Sequence, residues 1–199
     1  MTSLRPDLKL IADLIEPGSR VLDVGCDDGA LLDYLVAEKN IDGRGLEISQ
    51  EGVNACVAKG LFVIQGDADN DLSEYPDGSF DYVVLSKTLQ AVHRPRDVLR
   101  ALLRIGKRAV VTIPNFGHWR VRMSLMRRGR MPVTKSLDKS WYDTANIHFC
   151  TIRDLFDLIE AEGLRVQEFV PHSQQGKRLK AGPKAANWRA DQALFLLER

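Results

Sequence analysis

The chain predicts an α/β protein in three layers, a mostly parallel sheet of seven strands with one antiparallel strand near the C-terminus, and three observations predict it. Strand-like and helix-like runs alternate from Ser19 to Ile113 at short, regular spacing, the pattern of a parallel sheet covered by helices. The run Phe80 to Leu85 is apolar apart from Asp81, as a strand buried on both faces requires. The first strand-like run leads straight into a glycine turn that opens a helix.

Each element follows in order. Leu8, Ile11, Ala12, Leu14 and Ile15 recur at helical spacing after Pro6 and Asp7, and Pro17-Gly18 breaks the chain. Ser19 to Val24 is the first strand, and Gly29 to Glu38 a helix with Leu31, Leu32, Leu35 and Val36 on its apolar positions. Gly43 to Ile48 is the second strand, with Ser49 as cap and Gly60 as stop of the next helix. Leu61 to Ile64 is the third strand, followed by acids up to Asp77 and the turn Pro76 to Ser79. Phe80 to Leu85 is the fourth; a helix spans Pro95 to Ile105, with Pro at its start and Gly106 past its end. Ala109 to Ile113 is the fifth strand. Beyond it the pattern predicts a basic helix over Gly117 to Arg128, a loop or flap over Met131 to Asn146, and a helix over Ile152 to Ala161. Two last strands, Leu164 to Val170 and Gln192 to Leu197, are joined by the Gln-, Gly- and Lys-rich stretch from Pro171 to Ala190.

A length of 199 residues suits one domain, residues 1–199, with a core over about 8–115 and elaborations over about 116–150 and 171–190. Lys and Arg total 28 against 27 Asp and Glu, so the net charge of +1 offers no general attraction for nucleic acid or an anionic membrane. Cys26, Cys56 and Cys150 are odd in number and far apart, with no C-x-x-C, which argues against a disulfide framework or structural zinc and for a reducing compartment. Arg5, Asp7, Lys9 and Asp13 interrupt the N-terminus, so no secretory h-region forms, and no window reaches the roughly 18 apolar residues of a membrane span. The chain reads as cytoplasmic.

The chemistry concentrates in Val21-Leu-Asp-Val-Gly-Cys-Asp-Asp-Gly29. A glycine turn between strand and helix exposes backbone N–H groups and lets a ligand approach the main chain. Dinucleotide sites place G-x-G-x-x-G there; this chain has Gly25-x-x-x-Gly29 with Asp23 before it and Asp27 and Asp28 inside. Three carboxylates repel a pyrophosphate and suit a cation, and S-adenosylmethionine (SAM) carries a sulfonium and an ammonium. Glu47 ends the second strand, where a carboxylate can accept from both ribose hydroxyls. Asp67 closes the third strand, where it can accept from an adenine amino group while Ala68 offers its backbone N–H. Taken singly each acid reads equally as a turn or strand-end residue; the ordered set after one glycine loop is what points to a site.

The stretch resembles the first motif of class I SAM-dependent methyltransferases, with their ribose-binding acid and adenine-binding Asp, over roughly residues 8–115. It departs from D-x-G-x-G-x-G in having Asp27 at the middle glycine, a position that short polar residues tolerate in the left-handed conformation. With Leu85-Ser-Lys-Thr-Leu-Gln-Ala-Val-His-Arg-Pro95, Ile113-Pro-Asn-Phe-Gly-His-Trp-Arg120 and Ser140-Trp-Tyr-Asp-Thr-Ala-Asn-Ile-His-Phe-Cys150, the chain resembles the methionine biosynthesis protein MetW family along nearly its whole length. The resemblance implies a class I methyltransferase fold, SAM or S-adenosylhomocysteine as cofactor, and a homoserine O-acyltransferase as partner. It implies a cofactor set of Asp23, Gly25, Cys26, Asp27, Gly29, Glu47, Ile48, Asp67, Ala68 and Ser86.

Catalysis stays open. A methyl acceptor would lie beside the segments that hold His93, Asn115, His118, Trp119, Tyr142 and His148, and no Asn-Pro-Pro-Tyr motif is present. His93, Tyr142 and His148 are the candidates for a base, although His93 reads as well as a surface residue. His118 and His148 lack a third ligand at fixed spacing, so they are assigned capping or hydrogen-bonding roles and no metal is expected. Trp119 and Trp141 are expected in the core, and Cys26 as a small packed residue. Arg120, Arg122, Arg127, Arg128, Arg130 and Lys135 form a basic stripe, read as a solvated face or a protein contact ahead of an RNA contact. Two functions follow: a SAM-binding partner that assists the acyltransferase, or a SAM-dependent methyltransferase acting on a small molecule.

Overall fold

A computed structural model describes residues 4–133 and 140–199. Its strands are β1 (Arg20–Val24), β2 (Asp42–Glu47), β3 (Phe62–Gln65), β4 (Phe80–Ser86), β5 (Gly106–Pro114), β6 (Arg165–His172) and β7 (Gln192–Glu198). Its helices are α1 (Pro6–Leu14), α2 (Ala30–Lys39), α3 (Gln50–Ala58), α4 (Pro95–Ile105), α5 (Trp119–Arg128), α6 (Ile152–Ala161) and α7 (Pro183–Arg189), with one 3-10 turn at Asp71–Glu74.

The strands form one sheet in the order β3-β2-β1-β4-β5-β7-β6. β1 to β5 run parallel, and β7 lies antiparallel between β5 and β6. The mostly parallel seven-stranded sheet with a reversed C-terminal strand is therefore as the sequence predicts.

Successive side chains of a strand point to opposite faces, and the core divides accordingly. Leu22, Val24, Val83 and Leu85 pack with Leu99 and Leu102 of α4, Ile152 and Leu155 of α6, and Ala186 of α7. Val21, Tyr82 and Val84 pack on the other face with Ile11 of α1, Leu32 and Leu35 of α2, and Cys56 of α3.

Local chemistry sets several ends. Asn40, in the left-handed region at φ 50°, ends α2. Ser49 accepts from the Gly52 N–H at 3.3 Å to cap α3, and Thr151 with Asp154 forms a reciprocal capping box on α6. Among the described residues no helix is long and apolar enough to cross a membrane.

The structure differs from the sequence-based expectation in three places and agrees in a fourth. The link from Pro171 to Ala190 contains α7, which starts at Pro183 and buries Ala186 and Asn187. β5 begins at Gly106, which pairs with Phe80, so α4 passes into the strand without a loop. Trp119 and Trp141 are 40% and 70% exposed and are not core: α5 buries only Val121, and Trp141 lies in a stretch with no helix or strand to press it inward. The loop expected over Met131 to Asn146 is irregular where described, and residues 134–139, including Lys135 of the basic stripe, lie outside the described residues.

Candidate functional site

The chain leaves β1 toward β2 and β3 on one side and returns to β4 and β5 on the other, so β1 and β4 are neighbours at the switch point. In open α/β sheets the crevice at the carboxyl ends of such strands is where ligands bind. The residues after β1, β2, β3 and β4 meet there.

Gly25 follows β1 at φ 72°, and a Cβ on it would lie 2.7 Å from Thr88 Oγ1. The loop after β4 thus lies directly on the loop after β1, and only glycine meets both demands. Asp27, at the motif's middle position, has φ 52°, the left-handed conformation expected of it.

The carboxylates are not equivalent. Glu47 is buried, and its Oε2 accepts from the Asp27 N–H at 2.9 Å while Oε1 accepts from the Ser49 N–H at 2.9 Å. It therefore braces the glycine loop and the entry to α3. A Cβ on Gly52 would lie 2.8 Å from the Asp27 carbonyl and 2.9 Å from Glu47 Cγ, which shows how closely α3 is drawn onto that brace. Asp67 accepts from the Asp69 N–H at 2.9 Å and from Asn70 Nδ2 at 2.6 Å, closing its own turn. Asp28 is paired with Lys59 at 3.2 Å, and Asp27 is exposed.

Asp23 stands apart. It is 2% exposed, and its Oδ1 has no hydrogen-bond partner. Burial, reinforced by the Glu47 charge, pushes its carboxyl up to about 7. A buried carboxylate without a partner is costly and is satisfied by a cation or donor reaching it.

The other expected cofactor residues lie in the segments after β1, β2, β3 and β4. Cys26 Sγ lies 3.9 Å from Cys56 Sγ, which donates to the Asp27 carbonyl at 3.3 Å. Burial pushes both thiols up, which suits packing beneath the loop and disfavours a thiolate. Ile48 is 67% exposed beside Glu47. Ala68 is half-buried after β3, and Ser86 Oγ lies 3.3 Å from Thr112 Oγ1 at the end of β4.

Several contributors have no sequence signal. Lys87 sits at φ 57°, donates its N–H to the Thr112 carbonyl at 3.0 Å, and donates from Nζ to Asp7 Oδ2 at 2.5 Å. Burial alone would raise the Asp7 carboxyl, but the Lys87 ammonium, with Arg5, holds it below the usual range. This pair ties α1 to the loop after β4. Asp69 accepts from the His93 and Arg94 N–H groups at 2.7 and 2.8 Å, joining the loops after β3 and β4. His172 ends β6 buried; its Nδ1 donates to the Ser173 carbonyl at 2.9 Å, its Nε2 has no partner, and burial lowers its pKa.

His93, Tyr142 and His148 are all exposed. His118 has the capping role expected of it: Nδ1 accepts from the Arg120 N–H at 3.2 Å at the start of α5, and burial lowers its pKa. Asn115 is a brace, donating to the Asn187 and Ala190 carbonyls at 3.0 and 2.8 Å. A groove of about 590 Å³ lies between the 3-10 turn and α4, with Ala68 and Asp69 in its lining and Asp23 outside it. Three of its four arginines are engaged, Arg94 with Asn70, Arg104 with the Tyr75 carbonyl and Arg100 with Glu162.

The sheet order, the single reversed strand and the glycine loop at the switch point define a protein of the class I SAM-dependent methyltransferase fold. Solved structures agree. The chain superposes on a SAM-dependent methyltransferase from Archaeoglobus fulgidus with TM-score 0.70 at 18% identity, covering 96% of this chain and 91% of that one. It superposes equally on one from Mesorhizobium loti, with TM-score 0.70, 18% identity and coverage of 98% and 96%. Within this class the chain belongs to the MetW family, described as methionine biosynthesis protein MetW, whose profile matches residues 5–197. It is 33% identical over 207 residues to a bifunctional methionine biosynthesis protein MetXA/MetW of Rhodopirellula baltica. The match takes in 99% of this chain and 33% of that one, so the chain spans about a third of that relative's length.

Proposed function

We propose that the protein is a SAM-binding, methyltransferase-like component of cytoplasmic methionine biosynthesis that assists or regulates a homoserine O-acyltransferase. The orphaned, buried Oδ1 of Asp23 beneath the glycine loop carries the cofactor half of this reading. A desolvated carboxylate with no hydrogen-bond partner suits a ligand with an ammonium group. Asp23, Gly25, Cys26, Asp27 and Gly29 would form the floor of the cofactor site. Glu47 keeps free lone pairs beyond its two backbone bonds and would take the ribose hydroxyls. Ile48 would cover one face of the adenine, with Asp67 and Ala68 at its polar edge and Ser86 on the β4 side. When bound, SAM supplies an activated methyl group; the chain's own residues hold it and keep its cationic end against Asp23.

The partner half rests on the Rhodopirellula baltica relative, in which MetXA and MetW portions share one chain. Regulation is favoured over methyl transfer because the three candidate bases are exposed to solvent and the chain carries no Asn-Pro-Pro-Tyr acceptor motif.

The test is direct. The protein, mixed with a purified homoserine O-acyltransferase, is expected to co-elute with it and change its rate, and SAM or S-adenosylhomocysteine is expected to modulate that change. Calorimetry is expected to show SAM binding that weakens at least tenfold in Asp23→Asn. No co-elution and no rate change would remove the partner; no heat and no thermal protection with either adenosyl compound would remove the cofactor.

A further inference from the structure

The fold leaves several large apolar side chains of α5 and α7 in water. On α5, Trp119, Leu125 and Met126 are 40%, 47% and 72% exposed, and Trp188 of α7 is 48% exposed. α5 buries only Val121, and its ten residues, WRVRMSLMRR, include four arginines and no acid. Arg122 joins the two helices: its Nε donates to the Gly117 carbonyl at 2.6 Å, and its guanidinium lies 5.3 Å from the Trp188 ring centroid. α5 and α7 thus present one basic, apolar surface.

A helix of this length draws its stability from burying an apolar face, and α5 leaves most of its own uncovered. Contiguous apolar surface on a folded protein marks a contact site, and Trp, Met and Arg are the residues enriched at such sites. Charge decides the occupant. A second copy placed by a two-fold axis would set the arginines of α5 against themselves. RNA would engage the arginines but leave Leu125 and Met126 against solvent or phosphate. A protein surface apolar at its centre and edged by carboxylates satisfies both features.

We infer that this α5–α7 face is the docking surface for the acyltransferase, which seats on Leu125, Met126 and Trp188 and meets Arg122 and Arg127 with carboxylates. The inference rests on the partner reading above. It goes further in locating the contact on side chains other than those of the cofactor set, so that binding of the partner and of the cofactor are separable by mutation.

The experiment compares wild type, the double variant Met126→Glu with Arg127→Glu, and a control, Ile64→Glu, placed on β3, where Ile64 is 64% exposed. All three substituted side chains are in water, so circular dichroism and melting are expected to match wild type. Acyltransferase binding is expected to weaken at least tenfold in the double variant, to stay unchanged in the control, and to fall with added salt in wild type. SAM affinity is expected to be the same in all three. Equal acyltransferase binding by the double variant and wild type would overturn the docking face alone. A double variant that loses self-association or RNA retention, and not the acyltransferase, would overturn it in favour of those occupants. Absence of any wild-type complex would instead bring down the partner reading, and the docking face with it.

Discussion

Asp23 carries the most consequence of any single residue. Its unfolded value lies near 3.8 and its folded value at about 7. Below both values the folded and unfolded chains each hold the proton and nothing changes with pH. Between them the unfolded chain releases the proton while the folded chain keeps it, so stability falls as pH rises through that window and levels off above it. Asp23→Asn removes this slope. Denaturant unfolding at pH 5 and pH 8 is expected to show wild type losing stability relative to the variant, on the order of a few kcal/mol. A cationic ligand that seats on the ionised carboxylate reverses the penalty, so its affinity in wild type rises with pH over the same range. The variant that is more stable is thus the weaker binder. The motif marked Asp23 as a site residue, but that among the three strand-end acids it is the one without a hydrogen-bond partner was not legible: Glu47 and Asp67 have the same chemistry and are satisfied by N–H groups that only the folded loops bring to them.

At the scale of elements, helices whose ends carry their own signals were the legible ones. The capping box of Thr151 and Asp154 places the start of α6 wherever the rest of the chain goes. Thr151→Ala removes the bond to the Asp154 N–H and is expected to lower unfolding stability by about 1 kcal/mol in denaturant titration. Thr151→Asn, which can still accept, is expected to recover most of it. α7 is the contrasting case. Its seven residues are too few to form a helix alone, and it exists because Ala186 packs into the core while Asn115 holds the Asn187 and Ala190 carbonyls. Nothing local except Pro183 announces it. Trp119 misled for a related reason: hydrophobicity ranks it as core, but whether a helix finds a surface to cover depends on its neighbours.

For the whole molecule, the decisive feature is β7 inserted between β5 and β6. Phe195 on that strand is fully buried and packs edge-to-face on Phe156 of α6 at 5.1 Å, with Phe169 of β6 at the same distance. It therefore links a helix and two strands drawn from the last third of the chain. Phe195→Ala is expected to cost about 3–5 kcal/mol. Because one sheet carries both core layers, far-ultraviolet circular dichroism and tryptophan fluorescence are expected to lose signal together in the variant, at a lower denaturant midpoint.

The sequence by itself determined the alternation of strands and helices, the glycine loop at the end of the first strand, the acids at successive strand ends, and the family. These are properties of backbone period and local sterics, written within a few residues of where they act. Tertiary structure alone decided which carboxylate is left without a partner, that Lys87 reaches back 80 residues to Asp7, that a helix forms at Pro183, and that the arginine-rich face of α5 stays uncovered. Each of these depends on which distant groups meet when the sheet closes, and the energy of a buried charge or an exposed apolar face is set by those meetings, not by the residue that bears it.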